Sequence, residues 1–216
     1  MLKWNGIFLT VLSLILLTGC NEKQGDLKAL FQDETIIQVQ VLGDFDDTAL
    51  EEVKYMIATQ FHADSIIVKY SSLPDSCITK VKTTRYRADK LLRYLKTQKD
   101  EKAIKLIALT KQDISVTKYD SNGKIKTPEY KYADWGIMGL AYRSGPVCIV
   151  SSFRLKSNDK KLFMQRLRKV SMHELGHNYG NPHCPDKTCV MTDAVESITT
   201  IDGTEEQFCE VCEKKI

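Results

Sequence analysis

The sequence predicts an α/β fold, a single compact domain in which a mixed, twisted sheet packs between helices. Two observations lead to this expectation. Segments with the patterns of strands alternate with segments of helical spacing, which is typical of α/β domains. The chain has 216 residues, of which 43% are apolar and 27% charged, the balance of a soluble globular protein. A disordered chain and a polytopic membrane protein are thereby excluded.

The charge balance argues against a nucleic-acid partner. The chain carries 31 Lys and Arg residues against 28 Asp and Glu residues, a net charge of +3. This excess is small and evenly spread, whereas proteins that bind nucleic acids concentrate positive charge on one face. The oligomeric state is not predicted.

The first 19 residues have the pattern of a lipoprotein signal peptide. Lys3 supplies a positive charge, and residues 7–17 form an apolar stretch that is shorter than the roughly 20 residues a membrane span needs. Leu17-Thr18-Gly19-Cys20 resembles a bacterial lipobox. We therefore expect a lipid on Cys20, a polar tether over residues 20–34, and a location in the cell envelope outside the cytoplasmic membrane. An uncleaved single-pass anchor is the alternative.

The domain itself is predicted to span residues 35–216, and its first half shows strands and helices in alternation. Strands are indicated by alternating or β-branched residues, and helices by helical spacing behind a capping residue. In chain order we expect a strand at Thr35–Val41, a helix from Asp46 or Asp47 to about Phe61, a strand at Ser65–Tyr70, a helix at Ala88–Lys99, a strand at Lys105–Leu109, a turn at Asp120–Gly123, and strands at Gly136–Tyr142 and Val147–Phe153.

A long helix predicted over Lys160–Gly180 carries the most informative motif, His173-Glu174-Leu175-Gly176-His177. Histidines four positions apart lie one turn apart on the same helix face. Their imidazoles can share one small cation at the roughly 2 Å distance that zinc prefers. Glu174 is rotated by about 100° from His173, so it can stand beside the metal without binding it.

The residues that follow the helix predict a third ligand. Gly180 can adopt the positive φ that ends a helix, Asn181-Pro182 turns the chain, and His183 returns toward the metal. Three protein ligands leave one position of a tetrahedral zinc open, which marks a catalytic site. A water bound there is easily made nucleophilic, with Glu174 placed to take its proton. The predicted reaction is metal-assisted hydrolysis of an amide in a peptide or protein substrate.

Four cysteines close behind the histidines predict a second, structural zinc. Cys184 and Cys189 would supply one half of a four-thiolate site, and the CxxC pair Cys209 and Cys212 the other. The expected total is therefore two Zn²⁺ per chain. Two disulfides are the alternative, because the expected compartment is oxidising. A disulfide between the remaining pair, Cys77 and Cys148, is also left open.

Residues 173–212 resemble the archaemetzincins, a family of metzincin zinc metallopeptidases. The shared pattern joins the three-histidine motif to the four downstream cysteines and Met191, all present here at the matching spacing. The resemblance implies a compact metzincin-like domain with an active-site helix, a C-terminal segment held by zinc, and a Met-turn at Met191. It also implies that the strand at 136–142 binds extended peptide, and some members of the family are regarded as aminopeptidases.

Two functions are compatible with these patterns. The first is a lipid-anchored zinc metallopeptidase in which Glu174 is the general base. The second is a binding lipoprotein that keeps zinc for stability and has little catalytic activity. Glu174 favours the enzyme, because a purely structural site has no need of a carboxylate beside an open coordination position.

Overall fold

The structure is a computed structural model that describes residues 34–193 and 197–216. The predicted signal peptide, Cys20 and the tether up to residue 33 lie outside the described residues. Glu34–Ile216 form one compact unit. No helix within the described ranges is long and apolar enough to cross a membrane.

Nine strands and six α-helices make up the described part of the chain. The strands are β1 (Ile36–Leu42), β2 (Ser65–Ser71), β3 (Ile78–Thr79), β4 (Arg85–Arg87), β5 (Lys105–Thr110), β6 (Ile114–Val116), β7 (Trp135–Ile137), β8 (Gly139–Ala141) and β9 (Val147–Ser151). The helices are α1 (Asp47–Gln60), α2 (Ala88–Gln98), α3 (Glu129–Tyr132), α4 (Lys160–Asn178), α5 (Ile198–Gly203) and α6 (Glu210–Glu213).

A five-stranded mixed sheet forms the centre, in the order β2-β1-β5-β9-β8. All neighbours are parallel except β8, which runs antiparallel to β9 and forms one edge. Alternate residues of the strands face opposite sides. Ile107 and Val150 belong to the apolar cluster with α1 and α4, whereas Leu106 and Ile149 belong to the cluster with α2. The three layers and the mixed sheet confirm the predicted α/β class.

A second sheet, in the order β3-β4-β6-β7, was not predicted. It also corrects the single strand expected at 136–142. That segment is divided at Met138, with β7 paired to β6 and β8 paired to β9. The reason is that β9 ends at Ser151, whose N–H donates to Met138 O at 2.8 Å. Residues before Met138 have no partner left in the central sheet, so they pair with β6.

Helix α4 begins and ends much as its sequence indicates. Asp159 caps its start by accepting hydrogen bonds from the N–H groups of Lys161 and Leu162. Beyond its end, Gly180 adopts a φ of +99° and its N–H donates to His177 O at 2.9 Å. Only glycine takes up this left-handed conformation without strain, so the predicted stop at Gly180 is confirmed.

The end of α4 is fixed against the β8-β9 hairpin by polar contacts that span many residues of sequence. The side chain of Asn178 donates to Tyr142 O and to Val147 O, each at 3.0 Å. Lys105 Nζ donates to Asn178 O at 2.8 Å, which places a positive charge at the negative end of the helix dipole. The helix face that carries the histidines is thereby held at a set distance from β8.

Candidate active site

Three histidine side chains converge at the end of α4. Each of His173, His177 and His183 offers one ring nitrogen, and these atoms lie within 4.8 Å of one another. The Nε2 atoms of His173 and His177 are 3.0 Å apart. The structure thus brings together the three residues that the sequence predicted as ligands of one metal ion.

Two backbone carbonyls determine which ring nitrogens carry hydrogen. His173 Nδ1 lies 2.9 Å from Val190 O, and His177 Nδ1 lies 2.7 Å from Asn181 O. A carbonyl oxygen only accepts, so each Nδ1 donates and each Nε2 presents a lone pair. Two lone pairs at 3.0 Å repel each other unless a cation lies between them. The donor set therefore fits zinc, which imidazole nitrogens bind readily.

The environment of the two helix histidines favours neutral imidazole rings. Burial lowers the pKa of His173 to about 4, with a further contribution from repulsion by His177. Burial also lowers the pKa of His177. Neutral imidazole is the form that binds metals, so both rings are ready to act as ligands at neutral pH.

His183 is the most exposed of the three and has a carboxylate behind it. Its Nδ1 lies 3.4 Å from Asp193 Oδ2, an arrangement that orients the ring as a ligand. Asp193 was not predicted from the sequence. Its only signal there was its position two residues after Met191.

Glu174 lies buried in the wall of the same cleft, with only 8% of its surface exposed. Burial raises the pKa of its carboxyl group to about 8. A Cβ atom on Gly139 would lie 2.5 Å from Glu174 Oε1, so the backbone of β8 passes directly against the carboxylate. Gly139 was not predicted from the sequence either, although an isolated glycine in an apolar strand is a known signal of close approach.

Met191 lies beneath the metal-binding turn of α4. Its side chain is fully buried, and a Cβ atom on Gly176 would lie 2.5 Å from its Sδ. Gly176 stands between His173 and His177 in the motif, so Met191 packs against the turn that carries both rings. This is the position of an apolar floor, and its role as a Met-turn stays a prediction.

The four C-terminal cysteines form a second cluster. Their Sγ atoms lie within 4.8 Å of one another, and Cys184 Sγ is 3.7 Å from Cys209 Sγ. Tetrahedral zinc with bonds of about 2.3 Å gives edges of about 3.8 Å, which matches that distance. Cys189 Sγ accepts the N–H groups of Met191 and Cys209 at 3.4 Å each.

The cysteines of the described residues are all free, so neither disulfide alternative is seen. Burial raises the pKa of Cys189 and of Cys212, and a bound cation would be needed to make both thiolates at neutral pH. The four-sulfur donor set therefore fits a structural zinc. Cys77 and Cys148 are both buried and belong to different apolar clusters.

A cleft of about 730 Å³ opens onto the histidines and Glu174. Residues 135–141 line one side of it without interruption, across both β7 and β8. The lining also includes Ile198 and Ile201 of α5. Lys169 holds that helix by donating to Ile201 O at 3.0 Å and to Thr204 O at 2.6 Å. The cleft is therefore lined both by a strand segment and by apolar side chains of α5.

A three-histidine metal centre beside a buried glutamate, open to a strand-lined cleft in an α/β domain, defines a metallopeptidase. The model of Peptidase family M54 matches residues 47–216. The chain belongs to this family and is a zinc metallopeptidase.

The chain is also similar in sequence to individual archaemetzincins. The archaemetzincin of Methanopyrus kandleri is 31% identical over 144 residues, which cover 67% of this chain and 72% of that protein. The archaemetzincin of Pyrococcus abyssi is 40% identical over 86 residues, which cover 37% of this chain and 45% of that protein. The predicted resemblance to archaemetzincins is thus confirmed.

Solved structures show the same fold. The crystal structure of the Methanopyrus kandleri archaemetzincin superposes with a TM-score of 0.69 at 24% identity, covering 85% of this chain and 93% of that one. The Archaeoglobus fulgidus archaemetzincin, crystallised with malonate, gives a TM-score of 0.65 at 24% identity, covering 84% of this chain and all of that one.

The contact between Gly139 and Glu174 predicts that Gly139→Ala lowers peptide hydrolysis. The added methyl group would displace the carboxylate, and a displacement of about 1 Å at a reacting group can cost up to about 100-fold in rate. The melting temperature should fall as well, because the added Cβ would also lie 2.6 Å from Glu174 Cγ, so hydrolysis is compared on folded, zinc-loaded protein. Gly203→Ala is the matched control, since nothing lies within 4 Å of its added Cβ. Parental activity in Gly139→Ala would show that close packing of β8 does not position the carboxylate.

Proposed function

We propose that this chain hydrolyses peptide bonds in the cleft between α4 and residues 135–141, with Glu174 as the general base. The observation that carries this proposal is the Glu174 carboxylate, which is buried beside three convergent imidazoles, faces the same cleft and has no cationic partner among the described residues. A structural metal site needs neither the cleft nor the carboxylate. The alternative of a catalytically weak binding lipoprotein leaves the buried carboxylate unexplained.

The positions of the four residues suggest a separate role for the three histidines and for Glu174. His173, His177 and His183 would hold a zinc ion, which would supply a Lewis acid and lower the pKa of a bound water to roughly 7. Glu174 takes the proton of the attacking water and passes it to the leaving amine. Burial raises the pKa of its carboxyl group to about 8, which favours the protonated form that donates to the leaving amine, whereas a cation held by the three imidazoles would favour the carboxylate form that accepts the proton of water.

Extended peptide is the substrate form that the cleft suits. Strand β8 is the last strand of the central sheet, and residues 135–141 face the cleft along their whole length. A peptide can pair with such an edge through main-chain hydrogen bonds. Aminopeptidase activity would need a carboxylate for the free amine. Among the described residues that line the cleft, Asp193 is the acidic side chain besides Glu174.

A second zinc at Cys184, Cys189, Cys209 and Cys212 would fix the C-terminal segment. Binding of a structural metal contributes directly to the free energy of folding. The distance of 3.7 Å between two of the sulfurs and the N–H donors to Cys189 support this assignment.

The lipid anchor at Cys20 is proposed from the sequence. Its support is the short apolar stretch followed by Leu17-Thr18-Gly19-Cys20. A lipid there would hold the catalytic domain at a membrane surface outside the cytoplasm.

We predict that Glu174→Gln abolishes hydrolysis and leaves metal binding intact. Loss of a general base lowers the rate by about 10²–10⁴-fold, whereas the three histidines remain. Turnover of peptides and zinc content should both be measured on zinc-loaded protein. The peptides have either a free or an acetylated N-terminus. If the parent enzyme is an aminopeptidase, it cleaves only the peptides with a free N-terminus. Glu129→Gln, an exposed change of the same kind, is the control. Equal hydrolysis by Glu174→Gln and the parent protein would refute the mechanism.

Removing one cluster cysteine should release one zinc. Cys209→Ser is expected to reduce the zinc content from two ions to one per chain and to lower the melting temperature, because part of the folding free energy comes from the metal. Cys77→Ser changes a buried cysteine outside the cluster and should keep both ions. Elemental mass spectrometry gives the counts, and two zinc ions in Cys209→Ser would overturn the four-cysteine assignment.

The anchor is tested by Cys20→Ser in the full-length chain. The parent protein should fractionate with membranes and carry the added mass of a lipid, and Cys20→Ser should lose that mass. Cys77→Ser serves as the control for loss of a cysteine elsewhere. If the parent and Cys20→Ser proteins have the same processed mass, the lipid assignment is wrong.

A further inference from the structure

Arg154 stands out among the cleft-lining residues that the proposed reaction does not use. It ends the 3-10 turn Ser152–Arg154 that follows β9. Its Nε and Nη2 donate to the two carboxylate oxygens of Asp113, each at 2.8 Å. Asp113 is only 7% exposed and also accepts from Arg85 Nε at 2.7 Å. The guanidinium is therefore fixed by a two-bond contact to a buried, doubly paired carboxylate.

The other edge of this guanidinium is available to a ligand. Within the described ranges, Arg154 Nη1 has no hydrogen-bond partner, and 33% of the side chain is exposed. The residue lines the cleft, and Nη1 is the guanidinium nitrogen that Asp113 does not engage. A Cβ atom on Gly136 would lie 2.0 Å from Nη2, which shows that the backbone of the peptide-facing segment passes directly over the group.

Basic and aromatic side chains lie close to Arg154 at the cleft. Of the described cleft-lining residues at this end, the charged ones are Arg154 and Lys118. Lys118 Nζ lies 4.6 Å from the centre of the Trp135 ring, and Lys131 Nζ lies 5.3 Å from it. The nearby carboxylates Asp113 and Asp134 point at arginines instead. A carboxylate entering here meets the preoriented donor edge of Arg154.

Gly136 and Gly139 relate this group to the site of cleavage. Gly139 touches the carboxylate of Glu174, and Gly136 touches the guanidinium of Arg154. They are three positions apart in the chain, and three residue steps of extended chain span at most about 11 Å. A substrate running antiparallel to residues 135–141, the more stable pairing, would place its C-terminal half beside Arg154.

We propose that Arg154 is a carboxylate-binding subsite, which selects substrates with a carboxylate two or three residues after the cleaved bond. This inference rests on the proposed function. The carboxylate can come from an Asp or Glu side chain or from the C-terminus of the peptide. Binding at a guanidinium edge is charge-assisted and directional, so the preference should appear in affinity for substrate.

The test measures the dissociation constants of short peptides for the zinc-loaded full-length chain that carries Glu174→Gln, so that no peptide is consumed. One pair of C-terminally amidated peptides differs only by Glu or Gln at the third residue after the central bond. A second pair has neutral residues and ends at that position with a free carboxylate or an amide. In at least one pair, we expect the peptide with the carboxylate to bind about tenfold more tightly than its neutral partner. The pair that shows this difference identifies whether the subsite binds a side-chain carboxylate or the C-terminus.

Adding Arg154→Gln to this protein should remove the difference within the pair, and adding Arg154→Lys should reduce it. Arg93→Gln, which changes an exposed arginine on α2, should leave it unchanged. Equal affinities within both pairs before any change at Arg154 overturn the proposal, as does a difference that persists in folded Arg154→Gln protein. Failure of the chain with Glu174 intact to cleave any peptide would instead refute the proposed function, since the affinities are measured without cleavage.

Discussion

The site depends on two hydrogen bonds from imidazole to backbone. Val190 O and Asn181 O accept from His173 and His177, and these bonds turn both Nε2 lone pairs toward one point. Without them each ring could rotate or change tautomer, and the motif on α4 would be two histidines on a helix face. Lone pairs 3.0 Å apart repel each other unless a cation lies between them, so the arrangement favours binding of a cation.

The four-cysteine cluster holds the two carbonyl groups in place. Val190 follows Cys189 directly in the chain, and Asn181 Nδ2 donates to Cys212 O at 3.0 Å. Cys184 N–H also donates to Met191 O at 2.8 Å, so the backbone on both sides of the cluster packs under the histidines. The second cluster therefore packs against the backbone that positions the histidines.

Local sequence predicted which histidines converge, because their placement depends on short-range geometry. Helical spacing brings His173 and His177 together, and Gly180 ends the helix wherever the helix is placed. The features that the sequence did not predict depend on contacts between residues that are far apart in the chain. Gly139 matters because β8 passes Glu174, and the split of the strand at Met138 follows from where β9 ends. Apart from the glycine at position 139, no local sequence pattern indicates either of these contacts.

The most direct test of the metal centre is an anomalous difference map at the zinc absorption edge from crystals of the zinc-loaded protein. It should show one peak about 2.1 Å from the Nε2 atoms of His173, His177 and His183, and a second about 2.3 Å from the four cluster sulfurs. A map with no peak among the imidazoles, or with Nδ1 turned toward the metal and Nε2 toward the carbonyls, would contradict the proposed arrangement.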